Sequence, residues 1–223
     1  NRKLIKNNYL EKLNNSKKPF IIYKSDKGFD LYTDFSKKII LNNKNIKKFI
    51  NKNTKLRSNN KETDLFIGFF GYEILNNLIG IKIKKQKTLN FPKGIFYKPE
   101  TKVKLSNKLE YYNPKLVKSN EPFKININKN SYKIIFDKFK KKIKSGETYQ
   151  IKICTKYSNK SNLDALDFFC RLVKTNTAPE AFMIKDKDYS IISCSPENLI
   201  NKKNNLITTK PIAGTLKKTK KLN

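Results

Sequence analysis

One long amphipathic helix stands among many short strands, and that contrast limits the fold more than any other feature of the chain. From Ser131 the sequence places Ile134, Ile135, Phe139 and Ile143 on one helical face and lysines on the other, and Gly146 ends the run. On both sides the apolar period shortens toward that of strands. Residues 18–24 read as a strand entered through Pro19, Asp26-Lys-Gly28 as a turn, and Phe29 to Thr33 as the returning strand. Leu65 to Glu73 is an apolar strand whose two glycines, Gly68 and Gly71, predict a bend or a close backbone approach. Strands are also expected at Gly94–Tyr97, Lys102–Leu105, Thr148–Tyr157, Ala181–Ile184, Tyr189–Ser193, Asn198–Ile200 and Leu206–Thr209, punctuated early on by Pro92, Pro99, Pro114 and Pro122. Shorter helices are predicted from Asn45 to Lys52 and from about Leu163 to Lys174. This strand-rich pattern around a single long helix is compatible with an α+β arrangement.

Charge is the feature most open to misreading. Lys and Arg number 50 against 18 Asp and Glu, a formal charge of +32, which invites a nucleic-acid partner. The arginines, however, are only Arg2, Arg57 and Arg171. Bidentate recognition of bases and phosphates favours the planar guanidinium, so a dispersed lysine excess predicts weak, non-specific attraction and no specific nucleic-acid site. Lys, Asn and Ile are enriched together, as codon drift in an AT-rich genome would produce. No stretch approaches the roughly 18 apolar residues of a membrane span, so no membrane partner is expected. Cys154, Cys170 and Cys194 form no C-x-x-C pair, which suggests neither a disulfide framework nor a metal site and fits a reducing cytoplasm. The first residue is Asn1 and the last lie in a lysine run, so both ends read as cuts.

Three clusters in the last third follow one another at strand ends: Ser145-Gly-Glu-Thr-Tyr-Gln150, Ser193-Cys-Ser-Pro-Glu197 and Lys210-Pro-Ile-Ala-Gly-Thr215. Each alone has a plain reading. Gln150 on a strand is an ordinary sheet-margin residue, Glu197 a solvated turn acid after Pro196, and Pro211–Thr215 a strand-end turn. The functional alternative gives Glu197 a carboxyl projecting from a fixed turn, Gly214 a place where backbone meets a ligand, and Thr215 a hydroxyl that binds one.

In this order, with Gly68-Phe-Phe-Gly-Tyr-Glu73 upstream, the clusters resemble the chorismate-utilising family, which includes anthranilate, aminodeoxychorismate, isochorismate and salicylate synthases. The resemblance covers most of the chain, firmly from about Asp64 to Thr215. It implies an α+β fold of two antiparallel sheets packed as a sandwich with helices outside, here truncated. Residues 1–125 would form the N-terminal region of a component I, and 126–223 the start of the chorismate-binding catalytic region. Glu197 would be the acid that protonates the departing C4 hydroxyl of chorismate, and Ala213, Gly214 and Thr215 would line its pocket. A general acid must hold its proton near neutral pH, which a closed, partly apolar site provides.

Two positions separate the family's branches. Where water is the nucleophile the branches carry a lysine base, whereas Gln150 matches those that add ammonia, which needs no base. The aminodeoxychorismate branch has a lysine where this chain has Ala213, so the resemblance favours anthranilate and pyruvate as products, with aminodeoxychorismate as the alternative. Ammonia would come free or from a glutamine amidotransferase subunit. A tryptophan-binding pattern of the family is kept only at Ser25, Asn176 and Pro179, and its glutamate is missing. Magnesium would serve the full-length enzyme, with ligands beyond Asn223, and no metal ligands are expected in this chain. The 223-residue chain by itself is expected to be inactive.

Overall fold

The computed structural model describes residues 7–53, 63–74, 78–80, 91–105, 109, 121–212 and 214. Two compact units emerge: Asn1–Pro114 with Ala165–Asn223, and Lys115–Asp164. The boundary between 125 and 126 expected from the resemblance is one of sequence regions and falls inside the second unit.

The first unit is organised by a six-stranded antiparallel sheet. Its strands are β1 (Phe20–Ser25), β2 (Gly28–Ile40), β3 (Ile67–Phe70), β4 (Gly94–Leu105), β7 (Glu180–Lys185) and β8 (Ser190–Ser195), in the order β3-β4-β2-β1-β7-β8. The expected hairpin is present: Ser25 pairs with Gly28, leaving Asp26 and Lys27 as the turn, and Gly28 takes φ +120°, which favours glycine. On its other side β1 pairs with a strand far along the chain, Phe20 opposite Lys185 and Tyr23 opposite Phe182.

Sitting at the centre, β1 is covered on both faces, and Phe20, Ile21 and Ile22 are all buried. Phe20, Ile22, Phe29, Leu31 and Met183 face Leu10 of helix α1 (Asn7–Asn15) and Leu166, Phe169 and Cys170 of helix α4 (Ala165–Thr175). The opposite face gathers Ile21, Tyr32, Ile95, Tyr97 and Ile184, with Phe35, Ile67 and Phe69 packed beside them. A smaller cluster joins Leu41 and Ile74 to Ile46 of helix α2 (Ile46–Asn53). The asparagines before α2 act as expected: the Asn42 side chain accepts from the Lys44 and Asn45 amides, at 2.9 and 3.1 Å.

Gly68 confirms the predicted close approach. It sits opposite Phe96, and a Cβ there would lie 1.9 Å from the Ile95 carbonyl oxygen, so no other residue fits without moving backbone. Pro99 was expected to punctuate two separate strands, yet β4 runs straight through it. The ladder gives way on the partner strand instead: Phe35 lies opposite Pro99, the register shifts between Phe35 and Lys37, and Asp34 turns left-handed at φ +52°. A bulge at this point absorbs the missing proline N–H.

The second unit carries helix α3 (Lys129–Lys144) and a short ribbon of β5 (Lys124–Ile125) with β6 (Tyr157–Ser158). Asn128 caps α3 by accepting from the Ser131 amide at 2.8 Å. At the other end Gly146 donates to the Ile143 carbonyl and Glu147 to that of Lys142, with Gly146 at φ +76°, a Schellman ending. The strand expected over Thr148–Tyr157 pairs only from Tyr157. A strand needs a neighbour for its N–H and C=O groups, and among the described residues no strand pairs with 148–155. In the first unit, the strand expected at Asn198–Ile200 is displaced to β9 (Asn201–Lys203), which pairs with β10 (Leu206–Thr208) around Asn204 at φ +54°. Four α-helices among the described residues, one large antiparallel sheet and two ribbons make this the α+β fold the resemblance implied.

Candidate functional site

The Ser-Pro-Glu cluster follows β8 directly. Register sets Glu180 opposite Ser195 and Ala181 opposite Cys194, so the beginning of β7 lies beside the end of β8. Beyond Ser195 the chain turns on its own hydroxyl: Ser195 Oγ donates to the Glu197 carbonyl at 3.0 Å and lies 3.4 Å from the Glu197 amide. Pro196 limits this turn further, and the Glu197 side chain is exposed. The residues around Glu197 therefore do not by themselves supply the closed, partly apolar surroundings expected of a general acid.

A carboxylate not singled out by the sequence ties the turn to the sheet. Glu180 accepts from the Tyr23 hydroxyl at 2.8 Å through one oxygen and from Asn198 Nδ2 at 2.9 Å through the other. Burial, then the adjacent Glu180, push the Tyr23 phenol up to about 12. Next to it the Lys24 ammonium donates to the Ala178 carbonyl at 2.5 Å, while Asn176 Oδ1 accepts from the Ala178 amide at 3.1 Å. Burial raises the Cys194 thiol, with Lys24 acting in the opposite sense.

Ser25, Asn176 and Pro179 fall within this same corner, where the end of β1 meets the approach to β7. Ser25 spends its hydroxyl locally on the Gly28 carbonyl at 3.3 Å. Asn176 shapes the loop leading to Pro179, and Pro179 itself is exposed.

Gln150 belongs to the second unit, and its side chain is exposed on the unpaired stretch after Gly146. Its carbonyl accepts from Thr148 Oγ1 at 3.2 Å, and neighbouring Tyr149 is 91 % exposed. Gly214 takes φ +86°, a left-handed conformation compatible with a tight turn, whereas Ala213 and Thr215 lie outside the described residues. The structure thus gathers Glu197 with the β1–β7 corner, and it leaves the meeting of Gln150, Glu197 and Thr215 as an expectation.

Two further features have no signature in the sequence. A cavity of about 240 Å³ opens among Leu13, Lys18, Pro19, Thr33, Asp34 and Phe35, and no residue expected to act on substrate lines it. At the β7–β8 turn Asp186 is buried and receives Lys38 Nζ at 2.5 Å, the Tyr97 hydroxyl, and the Lys187 amide at 2.7 Å. Burial alone would raise its carboxyl, but these donors outweigh it and hold it below the usual carboxylate range. Among the described residues no group of three or more His, Cys, Asp or Glu could hold a metal ion, and no helix is long and apolar enough to cross a membrane.

Known relatives agree with the motifs. Aminodeoxychorismate synthase component 1 of Bacillus subtilis is 33% identical over 79 residues, which is 35% of this chain and 17% of that protein. Anthranilate synthase component 1 of Saccharolobus solfataricus is 34% identical over 89 residues, 40% of this chain and 21% of the relative. The anthranilate synthase component I-like protein of Synechocystis is 24% identical over 182 residues, 70% and 38% of the two. The chain therefore spans well under half the length of each of these relatives. The family model for chorismate binding enzymes matches residues 7–223, taking in all three clusters, and the chain belongs to that family.

Proposed function

We propose that this chain forms the N-terminal part of an enzyme that converts chorismate and ammonia to anthranilate and pyruvate, in the cytoplasm and toward tryptophan. The reading is carried by the branch-discriminating positions Gln150 and Ala213 within a family match that runs the length of the chain. Ammonia attacks C2 of the ring, the two ring double bonds move from C1=C2 and C5=C6 to C1=C6 and C4=C5, and the C4 oxygen leaves as water with a proton from Glu197. Loss of the enolpyruvyl group as pyruvate, with the C2 proton, then gives the aromatic ring. Gln150 suits the first step because ammonia arrives already nucleophilic. A glutamine amidotransferase subunit would supply ammonia where none is free.

The Mg²⁺ of the full-length enzyme is proposed to take oxygen ligands from outside this chain, and no step is routed through it. The alternative product is aminodeoxychorismate, a reading favoured by the Bacillus subtilis match and by Asn176-Thr-Ala-Pro179.

Product analysis of the full-length protein with chorismate and ammonium separates the two: anthranilate supports the first reading, and aminodeoxychorismate replaces it with the second. Glu197→Gln should lower kcat by about 10²- to 10⁴-fold, the range for a positioned general acid. Wild-type turnover by that variant would remove Glu197 from the chemistry. The isolated 223-residue chain is expected to make neither product.

A further inference from the structure

We infer that Glu180 is a positioning residue for Glu197, acting through the side chain of Asn198; this role rests on the reading of Glu197 as the acid. Glu197 leaves the sheet on a turn stiffened only by Ser195 and Pro196, and its own side chain is exposed. A carboxyl on such a turn swings with the backbone. The residue after it does not swing freely, because Asn198 Nδ2 is fastened to Glu180 Oε1 at 2.9 Å. Glu180 is fixed in turn by the Tyr23 hydroxyl on its other oxygen, at 2.8 Å, and by its place opposite Ser195 in the ladder. The half-buried carboxylate thus clamps both ends of the Ser195–Asn198 turn, one through the backbone ladder and the other through a side chain. Its anchor Tyr23 lies on β1, whose neighbours pin it on both sides.

A clamp of this kind sets direction without touching substrate. Misplacing a reacting group by about 1 Å can cost on the order of 10²-fold in rate, so a loosened turn should lower kcat while leaving KM near its wild-type value.

The side-chain chemistry offers a test by exchange in the full-length enzyme. Asn198→Asp sets two carboxylates against each other and should lower kcat about 10- to 100-fold. Adding Glu180→Gln to it swaps the amide and the carboxylate: the new amide donates to residue 198 and its oxygen still accepts from Tyr23. That double variant should recover most of kcat, and amide hydrogen exchange at residues 197 and 198 should be fast in the single variant and slow again in the double. If the single variant keeps wild-type kcat while Glu197→Gln abolishes turnover, the clamp is refuted and the acid stands. If exchange is restored by the swap but kcat is not, Glu180 is structural only. If Glu197→Gln is fully active, the underlying functional reading fails instead.

Discussion

The six-stranded sheet and the segment Lys115–Asp164 are written with similar residues and come out opposite. In the sheet, Phe20, Ile22, Leu31 and Met183 are fully buried. In the segment, none of the described residues is buried, and α3 leaves Ile134 70 % exposed, with Phe136 and Ile143 also facing outward. Both obey their periodicity, and both have correct ends. The difference is cover: each face of the sheet meets helices or side chains brought from far along the chain, whereas α3 is capped at both termini and meets little within the described residues of its own unit. Amphipathic pattern specifies an element and the face it offers, but burial requires a partner surface.

The contrast is easiest to break at the core. Phe169→Ala should cost about 3–5 kcal/mol in chemical denaturation, because it opens a hole between α4 and the sheet. Ile134→Ala on α3 should cost under about 1 kcal/mol in the same assay, as expected of a surface truncation. Equal losses would mean that α3 is covered as well as the sheet is.

A middle-sized effect lies in the polar tie of the β7–β8 turn. Asp186→Ala removes the carboxylate that accepts from the buried Tyr97 hydroxyl, leaving that hydroxyl only the longer contact to Tyr189 at 3.3 Å among the described residues, and should cost about 1–3 kcal/mol. Because the folded carboxyl is held below its ordinary value, the stability it lends is complete above about pH 4 and drains away as pH falls through the lower folded value. Denaturation midpoints followed downward from pH 7 should therefore fall in the wild type, and fall less steeply below about pH 4 in the variant. Parallel curves would contradict the tie.

Smallest is the cap of α3. Asn128→Ala should cost roughly 1 kcal/mol of local helix stability, seen as faster amide exchange in the first turn and scarcely at all in the sheet's denaturation midpoint. A shift of the sheet midpoint by the same amount would show the two units unfolding as one.

Much of this architecture could be read from residues next to one another. The Asp26-Lys-Gly28 turn, the close approach at Gly68 and the Schellman ending at Gly146 each declare themselves through a local requirement. The pairing of β1 with β7 has no such signature, because the apolar run of β1 specifies burial on two faces and not which strand supplies the second edge. Pro99 misled for a related reason: its cost was met on β2, at residues distant in sequence. The candidate site divides the same way. Glu197 and Gln150 stand in short motifs, but Glu180 acquires its role from Tyr23 and Asn198, and the Tyr23 contact spans 157 positions of the chain.

The bulge on β2 has an effect away from any chemistry. β1 keeps company with β2 only as far as Tyr32, so past the kink at Asp34 the stretch Phe35–Ile40 has β4 as its sole strand neighbour among the described residues. That half-strand is a docking rail for any stray extended peptide, and it leaves Ser36 and Lys37 exposed. A lysine on an open rail repels the next chain that would line up there, so Lys37 also guards against fibril-like stacking.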